Sequence, residues 1–374
     1  MGSHSVVYKC VLFFAAACFL VNVQFASGQV TKAGDDVIRV DTQLVDVPVA
    51  INSANGTPLA GVKASNFIVY EDGKKQEVVD FSATSAPFEV ALLLDTSGST
   101  RGDLQLIQSS ALYFINSLRP GDRVGLVGFK SDQRDGQTIA VSQVMNGLTD
   151  DRVRLKTAIQ NVRMSFGTPY YDSMLAAAES LFRDQPQEQF RGRRALVALT
   201  DGVDSTSLAE FAEIKDALQK RGIICFFIKV DTRDFFEEGL LGDCQSATRF
   251  STAQIRRYYK SIKAGKNTEK ATTFCGLGDF ERLAVSKRLY EIADAEMSEL
   301  AKASGGKVFP AADLNEARAA FKSVAEAIGT QYTLGYYPSN DKRDGTYRKI
   351  KVELKGLPVG TQLRAREGYT APSN

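Results

Sequence analysis

The feature that most constrains this chain is an alternation of strand-like apolar runs and helically spaced segments between Val90 and Val230. Ala91-Leu92-Leu93-Leu94 is continuously apolar, the mark of a strand covered on both faces. Leu104, Ile107, Ala111, Phe114, Ile115 and Leu118 follow at helical spacing. Pro120-Gly121-Asp122 then breaks the chain before a strand from Val124 to Phe129. The series continues through helices near 152–162 and from Tyr171 to Phe182, then a strand from Ala195 to Leu199. A helix from Leu208 to Lys220 and a strand from Ile223 to Val230 complete it. This rhythm predicts an α/β domain: a mainly parallel, Rossmann-like sheet with helices on both faces.

The flanks read differently. Val45, Val47 and Val49 alternate with polar or small residues, and Asn55-Gly56 and Asp72-Gly73 are hairpin-type turns between apolar runs. Phe67–Tyr70 and Val78–Phe81 are the strands expected around the second turn. Beyond Val230, helical spacing returns over Leu283–Ala303 and Leu314–Ile328. Strands are then expected over Tyr332–Tyr337, Tyr347–Leu354 and Gln362–Arg366. β character at both ends predicts one split unit, in which the 331–370 segment pairs with the 37–86 segment as a small β-sandwich.

Residues 233–280 break the rhythm without a period of their own. Between Cys244 and Cys275 lie seven Lys or Arg residues against one acid, Glu269. The reading closest to composition is a solvated insertion on a surface loop, and the functional one a contact for an acidic partner. Cys244 and Cys275 are the pair available for a disulfide, although sequence cannot supply the Cα separation that decides it. Cys225 sits inside an apolar strand and is expected to be a buried free thiol.

The first 28 residues read as a secretory signal: Lys9, an apolar run Val11–Val21, then the small residues Ala26-Ser27-Gly28. Cleavage near Gly28 makes the protein extracytoplasmic, periplasmic or secreted, with no stable membrane span. An uncleaved anchor is the alternative. A formal net charge of +2 gives no case for nucleic-acid binding. Histidine is the more decisive absence. The single one, His4, lies within the signal, which removes the base of Ser-His-Asp or Cys-His catalysis and the usual zinc ligand.

Asp95-Thr96-Ser97-Gly98-Ser99 follows directly on the buried run ending at Leu94. Loops at the carboxyl ends of parallel strands are where open α/β sheets place ligands. A carboxylate and two hydroxyls at alternate positions suit a hard cation such as Mg2+, which takes oxygen ligands at about 2.0–2.1 Å. These residues resemble the Asp-x-Ser-x-Ser signature of the von Willebrand factor type A family. That family adds a threonine and an aspartate from two further loops, and Thr168 and Asp201 occupy those places. The resemblance, over about residues 88–329, implies a metal-ion-dependent adhesion site of Asp95, Ser97, Ser99, Thr168 and Asp201 holding Mg2+ or Mn2+. It implies direct ligation by the hydroxyls, with the aspartates often acting through water. It also implies an open position for a carboxylate from a protein partner.

Val69-Tyr70-Glu71-Asp72-Gly73, Tyr332-Thr333-Leu334-Gly335-Tyr336-Tyr337-Pro338 and Arg366-Glu367-Gly368-Tyr369 resemble flanks of exported bacterial proteins carrying this domain. The expected organisation is a signal peptide over 1–28, β segments over 37–86 and 331–370, and a type A domain over 87–330 with the 233–280 insertion. Arg101-Gly102-Asp103 reads as the start of a helix rather than an adhesive tripeptide. The leading function is therefore a non-enzymatic, metal-dependent protein-binding module. One alternative is a structural scaffold in which metal is secondary. The other is a metal-assisted hydrolase, for which Asp204 and Glu210 are the nearby candidate bases.

Overall fold

The structure, a computed structural model, describes residues 44–82, 86–98, 104–134, 137–262 and 273–373. Residues 1–28, expected to be a signal, and Ser99 and Arg101-Gly102-Asp103 lie outside the described residues. In chain order come β1 (Val45–Asn52), β2 (Phe67–Glu71), β3 (Lys74–Gln76) and β4 (Val78–Ser82). The wound part follows as β5 (Glu89–Leu94), α1 (Leu104–Ser117), β6 (Arg123–Arg134), β7 (Gln137–Thr149), α2 (Arg152–Gln160) and α3 (Tyr170–Ala176). It continues with β8 (Arg194–Thr200), α4 (Phe211–Lys220) and β9 (Ile224–Val230). Next come α5 (Arg233–Glu238), α6 (Thr252–Ser261), α7 (Asp279–Ser304), β10 (Lys307–Ala311) and α8 (Ala317–Gly329). The strands β11 (Tyr332–Tyr336), β12 (Tyr347–Leu354), β13 (Gln362–Ala365) and β14 (Gly368–Thr370) follow.

The central sheet has the order β10-β9-β8-β5-β6-β7, parallel except for the antiparallel pair β6–β7. Every residue of β5 and β8 is buried. Their side chains alternate between two cores, as strand geometry requires. Ala91 and Leu93 join the core under α3, α4 and α7, while Val90, Leu92 and Leu94 join the one under α1, α2 and α8. The continuous apolar runs of the sequence are thus strands with a helix layer on each face.

Three elements depart from the sequence pattern for physical reasons. The long edge strand β7 is not foreseen, because its pairing with β6 shifts register on both sides of Leu126, and each shift adds a residue on the β7 side that breaks its period of two. The helix expected from Leu208 begins only at Phe211. The Asp172 carboxylate accepts the Leu208 and Ala209 amides at 3.1 and 2.9 Å, so these residues form a loop instead. The third departure is the insertion. It is no bare solvated loop: it contains α5 and α6 and buries Leu240, Phe250, Ile255, Phe274 and Leu277 in the core beneath α7.

The terminal segments pair with each other. The order β13-β1-β11-β4 makes one antiparallel sheet and β14-β12-β2-β3 a second, and both contribute to one buried cluster around Val47, Val69, Leu334 and Ile350. Asp72 and Gly73, both at positive φ, make the expected turn, but it leads β2 into the short β3. The strand expected there, Val78–Phe81, is β4, which pairs with β11 in the other sheet. Among the described residues, no helix is long and apolar enough to cross a membrane.

Candidate metal centre

β5 and β8 are adjacent and parallel, with Leu94 opposite Leu199. The next residues on each strand, Asp95 and the Thr200-Asp201 pair, therefore emerge side by side at the carboxyl edge. The Asp95 amide donates to the Leu199 carbonyl at 3.0 Å, continuing the ladder past the end of β5. Thr168 comes from the loop before α3. That loop is tied to the first by the Ser165 amide on the Thr96 carbonyl (3.0 Å). It is tied to the third by the Thr168 amide on Ser205 Oγ (2.7 Å) and the Ser205 amide on the Thr168 carbonyl (3.0 Å). Gly167 at φ +122° makes the turn that presents Thr168. Three chain-distant loops are thus stitched into one cluster holding Asp95, Ser97, Thr168 and Asp201, all buried.

The two carboxylates are pinned by fixed donors. Asp95 accepts the Ser97 amide at 3.0 Å on one oxygen and the Thr200 hydroxyl at 2.7 Å on the other. Asp201 accepts the Val203 amide at 2.9 Å and the Thr232 hydroxyl at 2.6 Å. The Thr232 oxygen lies 2.9 Å from the Tyr290 hydroxyl. Burial, reinforced by the negative charge of Asp201, pushes the Asp95 carboxyl up to about 7. Two carboxylates this deeply buried and this close together make a site that a cation would relieve.

The donor chemistry fits a hard divalent ion: carboxylate and hydroxyl oxygens at the mouth of a parallel sheet. Among the described residues, no three or more His, Cys, Asp or Glu gather as a metal-holding group. The further oxygen donors beside the two carboxylates are the hydroxyls of Ser97 and Thr168. Thr200, Thr232, Ser205 and Tyr290 complete the arrangement and were not singled out in the sequence. The signal available was position: Thr200 and Thr232 sit at the carboxyl ends of the parallel strands β8 and β9.

Of the two candidate bases, the Asp204 carboxylate accepts the Tyr171 amide at 3.1 Å and is also held by Ser207. Burial pushes it up to about 7. Glu210 is exposed, with Lys260 at 3.8 Å. Cys244 and Cys275 form a disulfide with Cα atoms 5.3 Å apart. Cys225 is a buried free thiol whose pKa burial pushes up to about 12.

A cavity of about 810 Å³ opens over the cluster. Ser97, Thr168 and Asp201 lie on one side of it, and Phe235, Glu238, Arg249 and Phe250 of the insertion on another.

A doubly wound, mainly parallel sheet with an oxygen-rich loop cluster at its carboxyl edge defines a Rossmann-like domain built around a hydroxyl–carboxylate site. Residues 90–203 match the family model of the von Willebrand factor type A domain, and the chain carries such a domain. Domains of this family often depend on a metal and mediate protein interactions. Among solved structures, a von Willebrand factor type A protein from Catenulispora acidiphila is 13% identical, with 89% of this chain and 75% of that one covered and a TM-score of 0.40. Proximal thread matrix protein 1 from the mussel byssus is 13% identical over 74% of this chain, with a TM-score of 0.41. The present chain spans about half of that protein, 51%. The same mussel protein with a zinc-occupied adhesion motif is 15% identical over 69% of this chain and 49% of its own, with a TM-score of 0.40. A search of curated protein sequences finds no match.

Proposed function

We propose that this protein is a non-enzymatic, divalent-metal-dependent protein-binding module of an exported chain. Asp95, Ser97, Ser99, Thr168 and Asp201 would hold a Mg2+ or Mn2+ ion. The charge left on an ion held by two carboxylates and neutral hydroxyls supplies the attraction for an acidic side chain of a partner protein. The chain's own part is to fix the donors: Thr200 and Thr232 hold the two carboxylates, and the Ser205–Thr168 bonds hold the second loop.

The observation that carries this reading is the burial of Asp95 and Asp201 side by side beneath a cavity that also reaches Ser97 and Thr168. The secretory pattern of residues 1–28 and the Cys244–Cys275 disulfide support an oxidising, extracytoplasmic location. Calorimetric titration of Mg2+ and Mn2+ into the chain from Gln29 onward should give binding near one ion per chain. Asp95→Ala and Asp201→Ala should abolish it while circular dichroism stays native. Unchanged binding in both variants would remove the site from the mechanism. Unfolding of both would instead assign the carboxylates a structural role.

A further inference from the structure

We propose that the described part of the insertion, residues 233–262 and 273–280, is a preformed recognition wall, and that the site takes an acidic side chain of a partner protein whose neighbouring residue is aromatic or branched and apolar. This rests on the metal-and-carboxylate reading above and extends it to the partner's sequence. The first observation is position. The insertion directly follows Thr232, whose hydroxyl holds Asp201, and its residues share one cavity with the site loops. A volume of about 810 Å³ is that of a pocket for a short segment rather than for a folded surface.

The second observation is rigidity. The Cys244–Cys275 disulfide closes the segment. Phe250 packs between Phe236 and Phe274, with ring centroids 5.6 and 5.8 Å away. Buried Arg282 of α7 donates to the carbonyls of Leu240, Gly242 and Leu277 at 2.9–3.0 Å, and its guanidinium lies over the Phe274 ring at 4.3 Å. The wall is therefore fixed to the long helix before any partner arrives, which lowers the ordering cost of binding.

The third observation is what the cavity exposes. Phe166 on the second site loop is 67% exposed and Phe235 on α5 is 60% exposed, and both line the cavity. Aromatic rings left open to water beside a polar centre are the usual anchors of a protein interface. Of the insertion residues that line the cavity, the charged ones are Glu238 and Arg249, and Arg249 is already bonded to the Cys244 and Gln245 carbonyls and the Gln245 side chain. An incoming carboxylate is thus directed to the metal rather than to the wall, and the residue beside it meets the two rings.

Fluorescence anisotropy would compare two labelled, end-capped, glycine-rich heptapeptides, each with a central glutamate preceded by phenylalanine or by serine. With Mg2+ present, the phenylalanine peptide should bind about tenfold tighter or better, the effect of burying most of one ring. Phe166→Ser and Phe235→Ser should each bring it toward the serine peptide, with the Mg2+ stoichiometry by calorimetry unchanged. Equal binding of the two peptides, a preference that survives both variants, or no binding of either to Mg2+-loaded protein overturns the wall while leaving the metal reading in place. Equal affinity of the phenylalanine peptide in EDTA overturns the metal reading, and this proposal with it.

Discussion

Thr232 is the residue through which the proposed metal site is most open to a clean test. Its hydroxyl donates to Asp201 Oδ2 at 2.6 Å and is 2.9 Å from the Tyr290 hydroxyl, all of them buried. Thr232→Val keeps the side-chain shape and removes only the polar atom. A hydrogen bond to a charged group contributes about 1.5–3 kcal/mol. Loss of such a supporting contact typically costs about 10–100-fold in metal affinity, or about 1.4–2.8 kcal/mol. The expected result is a 10–100-fold weaker Mg2+ dissociation constant for Thr232→Val by calorimetry. Thr232→Ser, which retains the hydroxyl, should return to within a few-fold of the parent. Thermal unfolding in EDTA separates this from general destabilisation, since the Val variant should remain cooperatively folded. Wild-type affinity in the Val variant, or equal weakening in both, would refute the argument that this hydroxyl positions Asp201.

Two further predictions concern other parts of the molecule. Glu71 accepts the Tyr336 and Tyr369 hydroxyls at 2.6 and 2.9 Å and pairs with fully buried Arg348 at 3.4 Å. Glu71→Ala removes the buried carboxylate that pairs with that guanidinium and accepts both tyrosine hydroxyls, leaving Arg348 the Asn340 and Lys342 carbonyls, the Tyr369 hydroxyl and Asp344 at 4.0 Å. It should cost about 3–5 kcal/mol in urea unfolding, whereas a loss below about 1 kcal/mol would show that the cluster contributes little. Asp204, with its folded pKa raised to about 7 from an unfolded 3.8, binds more protons folded than unfolded between those values. Its contribution therefore favours the fold below about pH 4 and is lost as pH rises through 7, by up to about 4 kcal/mol. Asp204→Asn should flatten the fall in stability between pH 4.5 and 7.5, and an identical pH profile for the two proteins would contradict the shift.

The legible part of this chain is the part governed by short-range periodicity. Strands covered on both faces appear as unbroken apolar runs, so β5, β8 and β9 stand out, and the loops that leave them carry Asp95 and Asp201. β7 and the insertion were opaque for opposite reasons. β7 pairs through bulges that scramble its alternation. The insertion is rich in Lys and Arg, yet it is held by a few buried rings, one disulfide and the guanidinium of a helix that follows it in sequence. Each contact joins residues whose proximity only the fold creates. Thr232 was hidden in the same way, since its value lies in facing Asp201 from the neighbouring strand.

The flanking motifs carry the same lesson in reverse. The β character of the two ends predicts that these three segments pair, yet nothing in their spacing says which of their side chains meet. In the structure Glu71 from the first, Tyr336 from the second and Tyr369 from the third form one buried hydrogen-bonded group. Arg366 of the third adds its guanidinium 5.8 Å from the Tyr369 ring and donates to the Asp46 carbonyl of β1. A buried carboxylate demands donors from whatever segments surround it. Such a group therefore links strands on either side of the type A domain, so motifs that look independent in sequence are constrained together by one buried carboxylate and its donors.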